Sequence, residues 1–590
     1  MHTTAHLTKD KDIKKLMAVS LAQQPADLAV VNARLLNVYT GELLENQAIC
    51  TCGPWIAYVG ENPGKSIGPH TEVVDAGGKT VIPGLIDGHT HLAWMATPDE
   101  FLKHIMIGGT TTIVTEVLEA YPVAGLDGTI ELIESLQDQP IKCFCTAPAM
   151  VSISRQAGQM PPNDLQALLD RGDVLGLGES YWQALLQDPD IILPRFKATL
   201  LSGKLLEGHS AGASEKKLNA YIAAGVSSCH EPIKVHEVLE RLRLGLHVMV
   251  REGSIRRDLE EIAKIQTMGA DLRRLILVTD GVHPLELLEK GYMEYVVQKA
   301  IDYGFDPVTA IQMATLNVAE HFNLDQVIGG IAPGRLADMV VIPDINTIKA
   351  ETVISNGIVI AQNGEVRVSP RPHQWSQSTL NTVHMPEPAR GSDFRVSAPS
   401  ETGKAFVRVI DLVTDLVTAP KEVSLTVVEN EICADIARDV IKVAAVDRNY
   451  QPGKTFTGFL KGFHLQSGAF ACSASWDASC IVVAGANDQD MAGAVNRIRE
   501  LQGGAVVMDQ GKVVAELAMP VFGLSALLPI EEIIERLKNI QSALAERGVG
   551  FPDPLLTLIT LTGAAIPFIR ISEEGLVNLK NGQMEELVMG

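Results

Sequence analysis

Short apolar runs, most ending in a polar or ionisable residue, recur along the first half of the chain. They are VIPGLIDGHTH to His91, TTTIVTE to Glu116, IKCFCTA to Ala147, VLGLGE to Glu179, KLLEGH to His209, GVSSCHE to Glu231, HVMVREGS to Ser254 and LILVTD to Asp280. Each has the length and composition of a buried strand, and their spacing, roughly 20 to 35 residues, is that of βα units. Helix-like stretches lie between them. In SEKKLNAYIAAG, Ser214 is a candidate cap, and Leu218, Tyr221 and Ile222 share one face. Eight such repeats predict an α/β fold built on a (β/α)8 TIM-like barrel over 81–335, with its chemistry at the C-terminal strand ends.

The flanks have a different texture. Residues 1–80 include DLAVVNARLLNVYTGELLENQAICTCGPWIAYVG, where β-prone runs alternate with turns at Thr40-Gly41 and Gly53-Pro54. The stretch 336–370 reads the same way, and 371–400, rich in Pro and Ser, reads as a linker. Beyond it, 401–590 alternates strands and helices as an additional C-terminal α/β domain. IVVAGA is a buried strand, and Asn487 or Asp488 caps a helix with Met491, Val495 and Ile498 inside, stopped at Gly503-Gly504. AVVMDQGKVVAEL then reads as a hairpin. No GxxxxGK[ST] accompanies the Gly pairs, so they read as helix stops.

Composition narrows the function classes. The chain has 590 residues, 46% of them hydrophobic and 20% charged, as in ordinary globular proteins. A formal net charge of -22 opposes nucleic acid as a partner. The polar stretch MHTTAHLTKDKDIKKLM lacks the apolar core of a secretion signal, and no run reaches membrane-spanning length, so a cytoplasmic protein with no membrane partner is expected. Eight cysteines are too sparse for a disulfide scaffold. The pairs Cys50/Cys52 and Cys143/Cys145 read as core packing within strands.

The candidate chemistry sits at the strand ends. In His89-Thr90-His91 the strand period of two turns both imidazoles to one side, where they can converge on an ion. Alone this is a weak signal. It gains weight because a closed barrel brings His209, His230 and Asp280 to the same rim. Two cations side by side need an anion between them, which Glu179 supplies, so the six residues spell a site for two divalent metal ions. Asp280 is the candidate general base toward water. The CxxC and HxE signature of nucleotide-type zinc deaminases is absent.

PGLIDGHTH, GTTTIV, GLGE, LNAYIAAGVSSCHE, HVMVREGS, LVTDGVHP and GRLADMVV resemble the adenine deaminase family of the amidohydrolase superfamily. GFLKGFHLQSGAFA, IVVAGANDQDMAGAVNRIRELQGG and VVAELAMPVFGL resemble that family's own C-terminal domain, so nearly the whole chain is covered. The resemblance implies hydrolytic deamination of adenine to hypoxanthine and ammonia at a manganese or iron pair. It implies His89, His91 and Asp280 at the first metal, His209 and His230 at the second, Glu179 bridging, and Glu231 donating a proton to a ring nitrogen. It also implies that the two flanks join in one small composite β-sandwich and that the protein forms a homodimer or larger homo-oligomer.

The chain departs from the family pattern at the substrate. Ala93, Trp94 and Met95 stand where Glu-Ser-Ser is usual, Leu118 replaces a histidine between Glu116 and Glu119, and Gly281 replaces an Asp. Trp476, Asp477, Ala478, Ser479 and Cys480 stand for His-Asp-Ser-His-Asn. Trp94, Glu119, Ser254 and His283 are the candidate contacts to a small heterocyclic substrate. Polar groups that would read a ring are lost while every candidate ligand stays, so a related amidohydrolase acting on another aminated heterocycle, or on a cyclic amide, is the alternative. For the cyclic amide, Glu179 stands where a modified lysine would bridge.

Overall fold

The computed structural model describes residues 7–8, 11–149, 152–155, 157 and 159–589. Residues 1–6, 9 and 10, which carry part of the N-terminal reading, lie outside these. All eight expected strands form: β1 (Leu85–Thr90), β2 (Thr110–Glu116), β3 (Lys142–Ala147), β4 (Val174–Tyr181), β5 (Leu205–His209), β6 (Ser228–Cys229), β7 (His247–Arg251) and β8 (Leu275–Val278). β1 to β5 pair in parallel as one arc and β6 to β8 as another. The arcs meet through Ser227 N to Leu206 O, 2.9 Å, and Asp280 N to His89 O, 3.0 Å, closing the barrel.

Strand alternation sorts the side chains into two layers. Ile86, Val114, Phe144, Leu175, Met249, Ile276 and Val278 belong to one apolar cluster that fills the barrel. Their neighbours Leu85, Ile113, Cys145, Val174, Val248, Val250, Leu275 and Leu277 belong to another, packed against the surrounding helices. The inward parity runs on from Val114 to Glu116, from Met249 to Arg251 and from Val278 to Asp280. The same alternation that builds the core thus delivers charge at its upper end. The helix after β5, Glu215–Ala223, starts where expected, but the Ser214 side chain makes no cap hydrogen bond.

The flanks form one sheet. Met339–Ile342 pairs antiparallel with Thr80–Pro83, which lies beside Leu28–Asn37, so strands from before and after the barrel join. The C-terminal part is richer in sheet than a strand-helix alternation would make it. Its main sheet has ten strands, mostly antiparallel, because successive runs are linked by tight hairpins such as Gly504–Asp509 to Lys512–Ala518. Helices Asp488–Leu501 and Ile530–Ala545 pack on it, the first capped by Asn487 and ended at Gln502 in the left-handed region.

The segment read as a linker is a packed strap. Arg371 donates to the carbonyls of Glu134 and Gln137, Glu131 accepts from Ser376, and Val383, Met385 and Phe394 are buried. Its prolines suit an extended path over a surface as well as they suit a free tether. The two CxC pairs pack among apolar side chains. Among the described residues no helix is long and apolar enough to cross a membrane.

The C-terminal part docks on the barrel mouth. Met95–Ala96, in the loop after β1, pairs in parallel with Ser525–Ala526. Glu100, in the next helix, accepts from Ile530 N at 3.1 Å and so caps the helix Ile530–Ala545 across the interface.

Candidate metal centre

At the upper rim the structure brings the six expected residues together. His89 Nε2 lies 3.2 Å from Asp280 Oδ1 and 3.4 Å from Glu179 Oε1. His91 Nε2 is 3.4 Å from the same Glu179 oxygen and 3.6 Å from Asp280 Oδ1, and His230 Nε2 is 3.3 Å from Glu179 Oε1. The other Glu179 oxygen faces His209 Nδ1 at 3.7 Å and accepts from the Tyr181 hydroxyl at 3.0 Å. Glu179 thus stands between the two imidazole pairs. Glu231 Oε1 lies 3.4 Å from His230 Nε2 and 3.8 Å from His209 Nδ1.

Local structure fixes these positions. Asp87 accepts from the His89 backbone N–H at 3.1 Å and from the Thr279 hydroxyl at 2.6 Å, locking the histidine strand to the end of β8. Asp280 then turns into the left-handed region, φ 59°, which Asp tolerates better than most residues. Glu119 Oε1 sits 2.6 Å from His91 Nδ1, behind the imidazole, and Glu116 Oε1 faces His89 Nδ1 at 3.7 Å.

The electrostatics are those of a buried acid cluster short of positive charge. Burial pushes Glu116 up to about 8. Against burial, hydrogen bonds from His230, His89 and His91 hold Glu179 well below the usual carboxylate range. Against burial too, Asp280 and Glu179 draw His89 up to about 10. Both ring nitrogens of His209 are buried without a hydrogen-bond partner among the described residues, an expensive arrangement unless they serve a ligand. His89, Glu179, His230 and Asp280 offer donor atoms within 4.8 Å of one another, as do His209, His230 and Glu231. Imidazole and carboxylate donors in this number fit a divalent transition metal.

The amidohydrolase family model matches residues 194–367, and the adenine deaminase C-terminal domain model matches 415–583. A curated adenine deaminase of Clostridium botulinum (strain Langeland) is 34% identical over 574 residues, covering 96% of each chain. One of Moorella thermoacetica is 34% identical over 587 residues, covering 98% of each. This chain belongs to the adenine deaminase family. A third relative, the adenine deaminase of Cenarchaeum symbiosum, is 33% identical over 585 residues, which is 98% of this chain and 96% of that one.

Around the metal centre of this adenine deaminase family member, the expected substrate contacts fall into two groups. Trp94 is buried at the barrel mouth, its ring 6.3 Å from His283 and 5.7 Å from Trp476. The other three are engaged in the protein itself. Glu119 holds His91, Ser254 donates to Glu286 at 2.6 Å and accepts from His283 N at 2.7 Å, and His283 caps the helix Pro284–Lys290 through Nδ1. Gly281, φ 106°, sits against His91 and Ile255 where a side chain would be strained.

Two residues at the site, Arg251 and Tyr181, were not expected, and a third, Asp477, was named only within the family stretch 476–480. Arg251, 3% exposed at the end of β7, pairs with Glu231, lies 3.3 Å from Asp280 Oδ2 and forks onto Asp258 at 3.0 and 3.2 Å. The Met249 parity reaches it, and a buried cation there balances acids rather than ligating. Tyr181 lies two residues beyond Glu179 on β4. Asp477 comes from the C-terminal part, next to Trp476, whose ring stacks on His91 at 5.8 Å and 12°. Burial first, then the charge of Glu179, push Asp477 up to about 7 against a hydrogen bond from Ala564.

Proposed function

We propose that this chain hydrolyses adenine to hypoxanthine and ammonia, using two divalent metal ions, manganese or iron. The observation that carries the reading is the convergence of His89, His91, His209 and His230 on Glu179 at 3.3 to 3.7 Å, with Asp280 3.2 Å from His89 and 3.6 Å from His91. The names of the three relatives, each covered almost end to end, support the substrate. His89, His91 and Asp280 would hold one ion, His209 and His230 the other, with Glu179 between them.

Bound there, the metals supply Lewis acidity that makes water a nucleophile at neutral pH. The protein moves the protons. Glu231 starts ionised, because the Arg251 guanidinium outweighs its burial and holds its carboxyl below the usual range. It therefore acts as a relay, taking one proton from the attacking water and passing it to the ring nitrogen beside the amine-bearing carbon. Asp280 takes the second proton and delivers it to the departing amine. The two transfers balance the products, a ring N–H with a carbonyl and one ammonia. Tyr181 and Arg251 keep Glu179 and both relaying carboxylates oriented meanwhile.

Ammonia release from adenine by the manganese-loaded protein, with metal content measured alongside, tests this. Turnover that chelation abolishes and manganese or iron restores, with two equivalents bound, is the expected result. A loaded protein that leaves adenine intact would overturn it.

A further inference from the structure

A cavity of about 850 Å³ lies between the loops that follow β3, β4 and β5 and the C-terminal part. Small or apolar residues make up much of its lining, among them Ala184 and Ala211 on the barrel side and Ala564, Ala565, Phe568 and Met584 opposite. Tyr181, the last residue of β4, lines it too. Among the described residues of this lining, Tyr181 is the one hydrogen-bonded to a candidate metal ligand, its hydroxyl donating to Glu179 at 3.0 Å. Its ring meets His209 edge-on, with centroids 4.4 Å apart. One phenol side chain thus has the metal centre on one side and open, largely apolar space on the other.

That wall is fixed from both ends. The Ser180 carbonyl accepts from the Tyr221 hydroxyl, and Trp182 Nε1 donates to Ala211 O at 2.7 Å, so the backbone on either side of Tyr181 is tied to the β5 region. Swinging the ring into the cavity would give up both the bond to Glu179 and the packing on His209. The amine-bearing carbon is the part of the base that must lie among the metal ligands. A group carried on its nitrogen therefore presses on the side chains that border those ligands, and Tyr181 is the bordering side chain with room behind it. Forcing extra atoms against a pinned ring is unfavourable, whereas an apolar group that reached the cavity would gain by leaving water.

We propose that Tyr181 is a specificity-determining residue whose ring walls the cavity off from the metal centre and so excludes bases that carry a bulky group on the reacting amine. The proposal rests on the adenine reading for the pose of the base. It makes the primary amine a requirement set by one side chain, and it makes N-substituted aminopurines with an apolar substituent the compounds that the cavity would take once that side chain is shortened.

Binding of adenine and N6-benzyladenine to the metal-loaded full chain, measured by calorimetry, tests this. The wild type is expected to bind adenine about a hundredfold more tightly than the benzyl compound, and Tyr181→Ala to bring the two within about tenfold of one another. Tyr181→Phe keeps the ring and loses only the bond to Glu179, so it should discriminate like the wild type. Tyr181→Leu, shorter but still apolar against His209, should show a smaller gain than Tyr181→Ala and carries the test if the alanine variant does not fold, which thermal unfolding reports. Wild-type protein that binds both compounds alike overturns the proposal. So do folded, metal-loaded Ala and Leu variants that still reject the benzyl compound, or a Phe variant that accepts it. A second readout needs no base: the rate at which 1,10-phenanthroline strips iron from the loaded protein. Loosened ligands raise that rate at every chelator concentration alike, whereas an opened path adds a part that rises in proportion to chelator, expected in Tyr181→Ala and absent in Tyr181→Phe. Protein that binds neither compound but shows this difference refutes the adenine reading and leaves Tyr181 as the wall; the absence of the difference overturns the wall itself.

Discussion

Arg251 is the residue whose removal tells most about the site. Its guanidinium touches Glu231, Asp280 and Asp258, so replacement by Met leaves three buried carboxylates without their common cation. Breaking such a network from one side costs about 3–5 kcal/mol, which urea unfolding of Arg251→Met would register. The same change should move the pH dependence. Arg251 depresses the Glu231 pKa, so without it Glu231 takes up a proton at higher pH. If Glu231 must start ionised, the acid limb of kcat/KM then shifts upward, and an unmoved limb would show that Glu231 is not the relay. Asp280→Asn keeps a neutral oxygen toward the histidines but removes the base. It should leave metal content near wild type, read by metal analysis, while turnover falls by about a hundred- to ten-thousandfold.

At the scale of elements, the barrel was legible because a strand with a period of two announces itself. The runs ending at Glu116, Glu179, His209 and Asp280 became strands or strand ends, and the imidazoles followed from position alone. Arg251 lay on the same parity as Met249 and could have been found, but a buried cation among ligands fits no ligand pattern. Trp476 and Asp477 were singled out only through the family stretch they stand in, since their approach to His91 depends on how two parts far apart in sequence dock. That docking has its own hinge point in Glu100, whose carboxylate caps the helix Ile530–Ala545 from the barrel side. The hydrogen bond from His104, helped by the Ile530 N–H, lowers Glu100 to about 2. A depressed carboxylate stabilises fully above its unfolded value, near 4.5, and loses that contribution as pH falls toward 2. Glu100→Ala should therefore cost about 1 kcal/mol at pH 7, the usual worth of a lost cap, with the difference from wild type shrinking between pH 4.5 and 2. Thermal unfolding across that range measures it. An equal loss at both ends would assign the effect to packing instead.

For the molecule as a whole, barrel and C-terminal part share one continuous apolar cluster, in which Met95, Tyr121 and Val123 of the barrel pack with Phe522, Leu524, Ile530 and Ile533. A polar tie crosses the same boundary, Asn449 donating to Pro122 O at 3.0 Å, and the buried Arg448 fastens the strap at Thr382 to Phe522 O of the C-terminal part. A boundary this apolar should not open while either side remains folded, because the exposed surface would cost more than the gain in chain freedom. The five tryptophans sample every region: Trp55 in the flanking sheet, Trp94 and Trp182 on the barrel, Trp375 in the strap and Trp476 in the C-terminal part. Urea unfolding followed by their fluorescence and by far-ultraviolet circular dichroism should therefore trace one coincident transition. Because the metal ligands and Trp476 meet at that same boundary, chelation should lower both midpoints together, as removal of a ligand bound only by the native state requires. Two separated transitions, or a midpoint that falls with chelation for one probe alone, would mean that the C-terminal part is an independent cover and not a wall of the site.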